Sequence, residues 1–257
     1  MTMKLLLAAV FVSLVTGWSR AEDGTAKLEP GKAITIEFPQ MPSTLYESMY
    51  HEGTKPAMTI ALPKNYDRKR QHPLLVFLSG GNGSAARQAN VARALSEDQD
   101  FVCVALPFFR QKMEKPEIKL LDEDFKFMWP LYETMLAKLD QLVPNIDPAR
   151  RVIGGFSNGG HTTAGMIDNI GDEFVNYFSA YLFVEGGSKL QHFERIAGKP
   201  LLVLYGGARG RDWDGVIGQP AAKAGVKITL HKMENVGHDF PVAQYPVVRE
   251  WLRDLLK

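Results

Sequence analysis

Gly155-Phe156-Ser157-Asn158-Gly159 has the G-x-S-x-G spacing of a nucleophile elbow. In such an elbow the chain turns so sharply from strand to helix that the serine backbone is strained and its flanking positions must be tiny. A serine hydroxyl loses its proton too rarely near neutral pH to attack a carbonyl unaided. It needs a histidine base and a carboxylate that fixes the tautomer of that histidine. His238 is the base that fits, in the loop Asn235-Val236-Gly237-His238-Asp239-Phe240 after the last expected strand. His51 and His72 precede core strands, His192 falls in an expected polar helix, and His231 lies within a strand. His161 is one helical turn past the serine and points along the elbow helix. The carboxylate is chosen as Asp212 because the order serine, acid, histidine puts it after the strand Leu201–Tyr205. Asp214 is second and could instead cap the next helix, while Glu185, at the end of the preceding strand, is a third candidate. Arg209 and Arg211 could pair with whichever acid is idle. The oxyanion of such a reaction would face the backbone N–H groups of Asn158 and Gly81, the latter in the loop Ser79-Gly80-Gly81-Asn82-Gly83-Ser84. The plainer alternative is that Ser157 merely caps a helix in a glycine-rich turn.

Positioning these groups requires a sheet whose strands end on one edge. Pro73–Leu78 is a continuous apolar run of the kind buried on both faces of a parallel sheet, so it is expected at the centre. Further strands are expected at Ala33–Phe38, Met58–Leu62, Phe101–Leu106, Arg151–Phe156, Tyr177–Val184, Pro200–Tyr205 and Val226–His231. Helical spacing marks Ala85–Ser96, a helix opened by Pro130 and continued by Leu131, Met135, Leu139 and Leu142, the elbow helix Gly159–Ile170, and an amphipathic end built on Val247, Val248, Trp251, Leu252 and Leu255. Asn145–Pro148 is expected as a turn. Arg110–Met128 carries no strand signal and could overhang the site as a lid or pack as a surface helix. Phe108, Phe109, Trp129 and Trp213 fall in segments expected to border the site.

The 257 residues, 45% hydrophobic and 23% charged, suffice for one large α/β core. A net charge of +1 gives no reason to expect nucleic acid or an anionic membrane as partner. Met1–Ala21 has the plan of an export signal, with basic Lys4, the apolar run Leu5–Val15 and the cleavage-like Ser19-Arg20-Ala21, which leaves residues 22–257 as a single domain. The run is too short to span a bilayer, so no stable membrane insertion is expected once it is removed. The expected location is periplasmic or extracellular. Cys103, the single cysteine, lies in an apolar run and is expected as a buried core thiol.

The order Ser157, Asp212, His238, the glycine loop after a central strand and the alternation of strands and helices resemble the α/β-hydrolase superfamily over roughly Met58–Lys257. Within it, Asp147-Pro148-Ala149-Arg150-Arg151-Val152 leading into Gly155–Gly160 is similar to the secreted esterases related to polyhydroxyalkanoate depolymerases and feruloyl esterases. The resemblance implies a mostly parallel sheet of about eight strands with helices on both faces. It also implies an acyl-enzyme mechanism on a small-molecule or polymer-linked ester, with no metal or organic cofactor. Ser79 stands where many relatives have histidine, and the acid loop is longer than the common glycine-x-x-aspartate pattern. A hydrolase-fold binding protein without chemistry and a serine peptidase are the competing readings.

Overall fold

The computed structural model describes residues 28–41, 57–78, 80, 85–97, 99–106 and 122–257. The expected export signal, the Gly81 position and residues 110–121 of the possible lid lie outside them, as do Phe108 and Phe109.

Eight strands form one sheet: β1 (Ala33–Glu37), β2 (Ala57–Ala61), β3 (His72–Leu78), β4 (Val102–Ala105), β5 (Ile146–Phe156), β6 (Ala180–Val184), β7 (Pro200–Gly206) and β8 (Lys227–Met233). Their order across the sheet is β1-β2-β4-β3-β5-β6-β7-β8. β2 runs antiparallel to β1 and β4, and the six strands from β4 to β8 run parallel. Every residue of the aliphatic runs β3 and β6 is buried, as expected of inner parallel strands. The edge strand β8 alternates instead. Chain order reverses across β3, because β4 lies on one side of it and β5 on the other. In such sheets the crevice outside the carboxyl ends of the strands at that switch point is where ligands bind.

The strands are joined by helices α1 (Ala85–Ser96), α2 (Asp122–Leu142), α3 (Asn158–Ile170), α4 (Asp172–Tyr177), α5 (Gln219–Lys223) and α6 (Tyr245–Asp254). Pleat alternation splits the core in two. Leu74, Val76, Leu201 and Val203 face a layer with α2 and α3, whereas Leu75, Phe77, Leu202 and Leu204 face α1 and α6 through Leu95, Val248 and Leu252. Cys103 is buried in the second layer, 3.2 Å from Ser96 Oγ, and burial pushes its thiol up to about 12. No described helix is long and apolar enough to cross a membrane.

Three expectations are corrected. Tyr177 ends α4 rather than opening a strand, and β6 begins at Ala180, because Phe174 and Val175 bury one face of a helical turn there. Asn145–Pro148 is not a free turn: β5 starts at Ile146, pairs with His72 and continues past a register shift. The third concerns Pro130, which does not open its helix but lies inside α2. Asp122–Met128, part of the possible lid, therefore forms the first turns of a helix whose Phe125 and Met128 are buried. Helical periodicity backed by apolar burial overrides the boundary signal of one proline.

An interior proline deletes one helical hydrogen bond and crowds the preceding turn. Pro130 is exposed, so its ring contributes little packing in return. Pro130→Ala is expected to raise the unfolding free energy by about 1–3 kcal/mol in urea titrations. A helix beginning at Pro130 would instead give a loss.

Candidate active site

β5 delivers Ser157 to the carboxyl edge of the sheet in a backbone conformation, φ 53° and ψ −114°, that non-glycine residues rarely adopt. The surrounding contacts leave no easier path. A Cβ on Gly155 would fall 2.6 Å from the Gly159 carbonyl carbon, and one on Gly159 would overlap the Leu78 carbonyl oxygen. The Ser157 N–H donates to Val184 O at 2.8 Å, and its carbonyl accepts the His161 N–H at 3.0 Å to start α3. Asn158 is the first residue of α3. Its N–H belongs to the helix-start donors that have no intrahelical acceptor and carry the positive end of the dipole.

His238 reaches this serine from the loop between β8 and α6, with Nε2 2.7 Å from Ser157 Oγ. Its ring lies against Phe156, centroids 5.2 Å apart, and Phe240 links Phe156 to Phe77 and Tyr245 beneath. The histidine loop is thus clamped on an aromatic base. The histidine itself remains partly open, with 41% of its side chain exposed.

The group on the other ring nitrogen is Glu185, not Asp212. Glu185 Oε2 lies 3.0 Å from His238 Nδ1, and Oε1 accepts the Gly206 N–H. A wholly buried carboxylate is tolerated because both oxygens have donors. Asp212 is exposed and uses Oδ1 to accept the Gly215 N–H at 2.8 Å, while Asp214 accepts from Gln219 Nε2 at 2.9 Å. The physical reason lies at the end of β7. There the histidine loop covers Gly206 so closely that a Cβ would overlap Gly237 O, and Ala208 N donates to Val236 O. That strand end is filled by backbone, and the chain beyond it is drawn away as Trp213 buries itself against Tyr205. The carboxylate comes from β6 instead. Glu185 has φ 50°, and the following Gly186 lies where a Cβ would fall 2.9 Å from Gly160 Cα. An acid followed by two glycines at the end of a strand adjacent to the elbow is the sequence signal for this position; the serine-acid-histidine chain order does not discriminate, since Glu185 satisfies it too.

Of the aromatic residues expected to border the site, Trp129 is core: its Nε1–H donates to Glu173 Oε2 at 3.0 Å and its ring meets Phe174 edge-on. His192 stands before a short 3-10 turn rather than in a polar helix. His161 Nδ1 is buried with no hydrogen-bond partner among the described residues. Burial above all, then the charges of Lys189, Arg211 and His238, lower its pKa from 6.5 to about 4.

No family model matches the chain, and no curated protein does. Solved structures do. A thermostable esterase superposes with a TM-score of 0.62 at 21% identity over 87% of this chain, which spans only 62% of that protein's length. An esterase from Pyrobaculum calidifontis gives 0.60 at 14% identity, over 90% of this chain and 86% of its own. Thermogutta terrifontis esterase 2, in a form phosphorylated by paraoxon, gives 0.59 at 15% identity, over 88% and 94%. With this strand order and these neighbours, the chain has the α/β-hydrolase fold.

Two outcomes follow from the geometry. Glu185→Gln, which removes the charge facing His238, is expected to slow labelling of Ser157 by a fluorophosphonate by about three to four orders of magnitude. Asp212→Asn leaves that rate near wild type, as mass spectrometry of the labelled peptide would show. His161 is neutral in the fold and titrates at about 4 against 6.5 when free. Its contribution to stability is therefore full above pH 6.5 and declines as the pH falls toward 4. Urea titrations across that window should fall less steeply for His161→Gln than for wild type.

Proposed function

We propose that this chain is a serine hydrolase of carboxylic esters in which Ser157, His238 and Glu185 act as the catalytic triad. The observation that carries this reading is the continuous relay from Ser157 Oγ through His238 Nε2 and Nδ1, at 2.7 Å and 3.0 Å, to a buried carboxylate. Ser157 Oγ attacks the ester carbonyl carbon while its proton passes to His238 Nε2. Glu185 stabilises the resulting imidazolium and holds the ring in place. The oxygen that becomes negative is met by the Asn158 N–H at the positive end of α3, with the Gly81 N–H as second donor. Collapse of the tetrahedral adduct breaks the bond to the alcohol, which leaves with the proton from Nε2. Water, deprotonated by His238, then cleaves the acyl-serine and restores the hydroxyl.

The esterases among the structural neighbours support the choice of esters over amides. The resemblance of residues 147–160 to depolymerase-related and feruloyl esterases supports a small or polymer-linked ester as substrate. Neither nucleic acid nor a membrane is part of the proposal. Removal of Met1–Ala21 and export to the periplasm or beyond complete it, supported by the basic-apolar-small plan of that segment.

The purified mature protein is expected to release short acyl groups from p-nitrophenyl esters far faster than from matched anilides. Ser157→Ala should lower kcat by on the order of 10⁵–10⁶. A folded wild-type protein that neither hydrolyses esters nor reacts with a fluorophosphonate would identify a binding protein on this fold. Preference for the anilide would identify a peptidase.

A further inference from the structure

The loop after β6 rests on the first turn of α3, so closely that a Cβ on Gly186 would sit 3.2 Å from the His161 backbone N. Lys189 follows three residues later, exposed. From the next strand end, the Arg211 guanidinium lies over the Trp213 ring, 5.0 Å from its centroid, and that ring stacks on Tyr205 at the end of β7. Lys189 and Arg211 have no carboxylate partner among the described residues. The acids near them in the chain are engaged elsewhere: Glu185 by His238 and Gly206, Asp168 by the N–H groups of Gln191 and His192, Asp212 by Gly215, and Asp214 by Gln219. Two buried ring nitrogens, His161 Nδ1 and Trp213 Nε1, also lack partners among the described residues. A buried polar group left unpaired is unfavourable, a cost a ligand can remove.

We propose that His161, Lys189 and Arg211 form a subsite beside Ser157 that holds a carboxylate carried by the ester substrate. This rests on the ester-hydrolysis reading and narrows its substrate class to acidic esters. The two cations supply charge and His161 supplies one directed N–H. Burial and the nearby charges of Lys189, Arg211 and His238 keep the His161 ring neutral down to about pH 4, so it donates or accepts without adding charge. The N-terminus of α3 adds its partial positive charge to the same corner.

The test compares esters that differ only in one charge: p-nitrophenyl hemiglutarate against p-nitrophenyl pentanoate for the acyl side, and 4-acetoxybenzoate against its methyl ester for the alcohol side. In one of these pairs the wild type is expected to favour the charged member in kcat/KM. The double variant Lys189→Ala/Arg211→Ala lowers that preference by about tenfold, whereas Lys189→Arg/Arg211→Lys retains it. An unchanged ratio in the alanine variant, or a wild-type preference for the neutral member of both pairs, overturns the subsite. A readout independent of turnover uses Ser157→Ala with an isotope-labelled His161 ring. Glutarate or 4-hydroxybenzoate should raise the His161 pKa from about 4, and an equal rise with inorganic phosphate would overturn the assignment to a carboxylate. If no ester is hydrolysed yet the His161 ring responds to the carboxylates, the hydrolysis reading fails and the subsite stands. Hydrolysis without charge preference and without that response removes the subsite alone.

Discussion

Close approach of backbone to backbone at the end of β5 governs this molecule. Ser157 is held at φ 53° because Gly155 and Gly159 let the turn fold back against the Leu78 carbonyl of the neighbouring strand. The strain of such a conformation, on the order of 1–3 kcal/mol, persists only where the surroundings over-determine it. Here they do: Val184 O fixes the serine N–H, α3 begins on the serine carbonyl, and β3, buried throughout, gives no ground. The hydroxyl is thereby set at the switch point of the sheet before any partner arrives.

The partners come from beyond two other strands, β6 and β8, and meet through short contacts. His238 stands on an aromatic base of Phe156 and Phe240, so the residue before the serine also supports the histidine. Glu185 leaves β6 in a left-handed backbone conformation and spends one oxygen on His238 and the other on the Gly206 N–H of β7. A single carboxylate ties β6, the end of β7 and the histidine loop together. Because Gly206 is also where the histidine loop presses on the sheet, the carboxylate, the loop and the strand end are fixed by the same few contacts.

The fold was legible because long aliphatic runs declare inner parallel strands such as β3 and β6, while alternation declares the edge strands β1 and β8. The serine was legible because Gly155 and Gly159 answer a steric demand that sequence records, and the histidine because it follows the last strand. The carboxylate was not, since Asp212, Asp214 and Glu185 all follow strand ends and the choice of the acid after β7 outweighed the two glycines that follow Glu185. What separates them is the space above β7, filled by a loop thirty residues further along the chain, and no local pattern encodes that occupancy. Pro130 misled for a related reason: a residue favoured at helix starts can be carried inside a helix when the turns before it bury Phe125 and Met128.

Placing the carboxylate on β6 has an evolutionary consequence. The excursion between β7 and β8, from Gly207 to Val226, is relieved of supplying the carboxylate for the histidine, whereas the three residues Glu185-Gly186-Gly187 have almost no room to vary. Insertions, deletions and recruitment of new side chains can accumulate in that excursion without disturbing proton transfer. Lineages of this chain should therefore diversify there first, and protein engineers can graft selectivity at the same place.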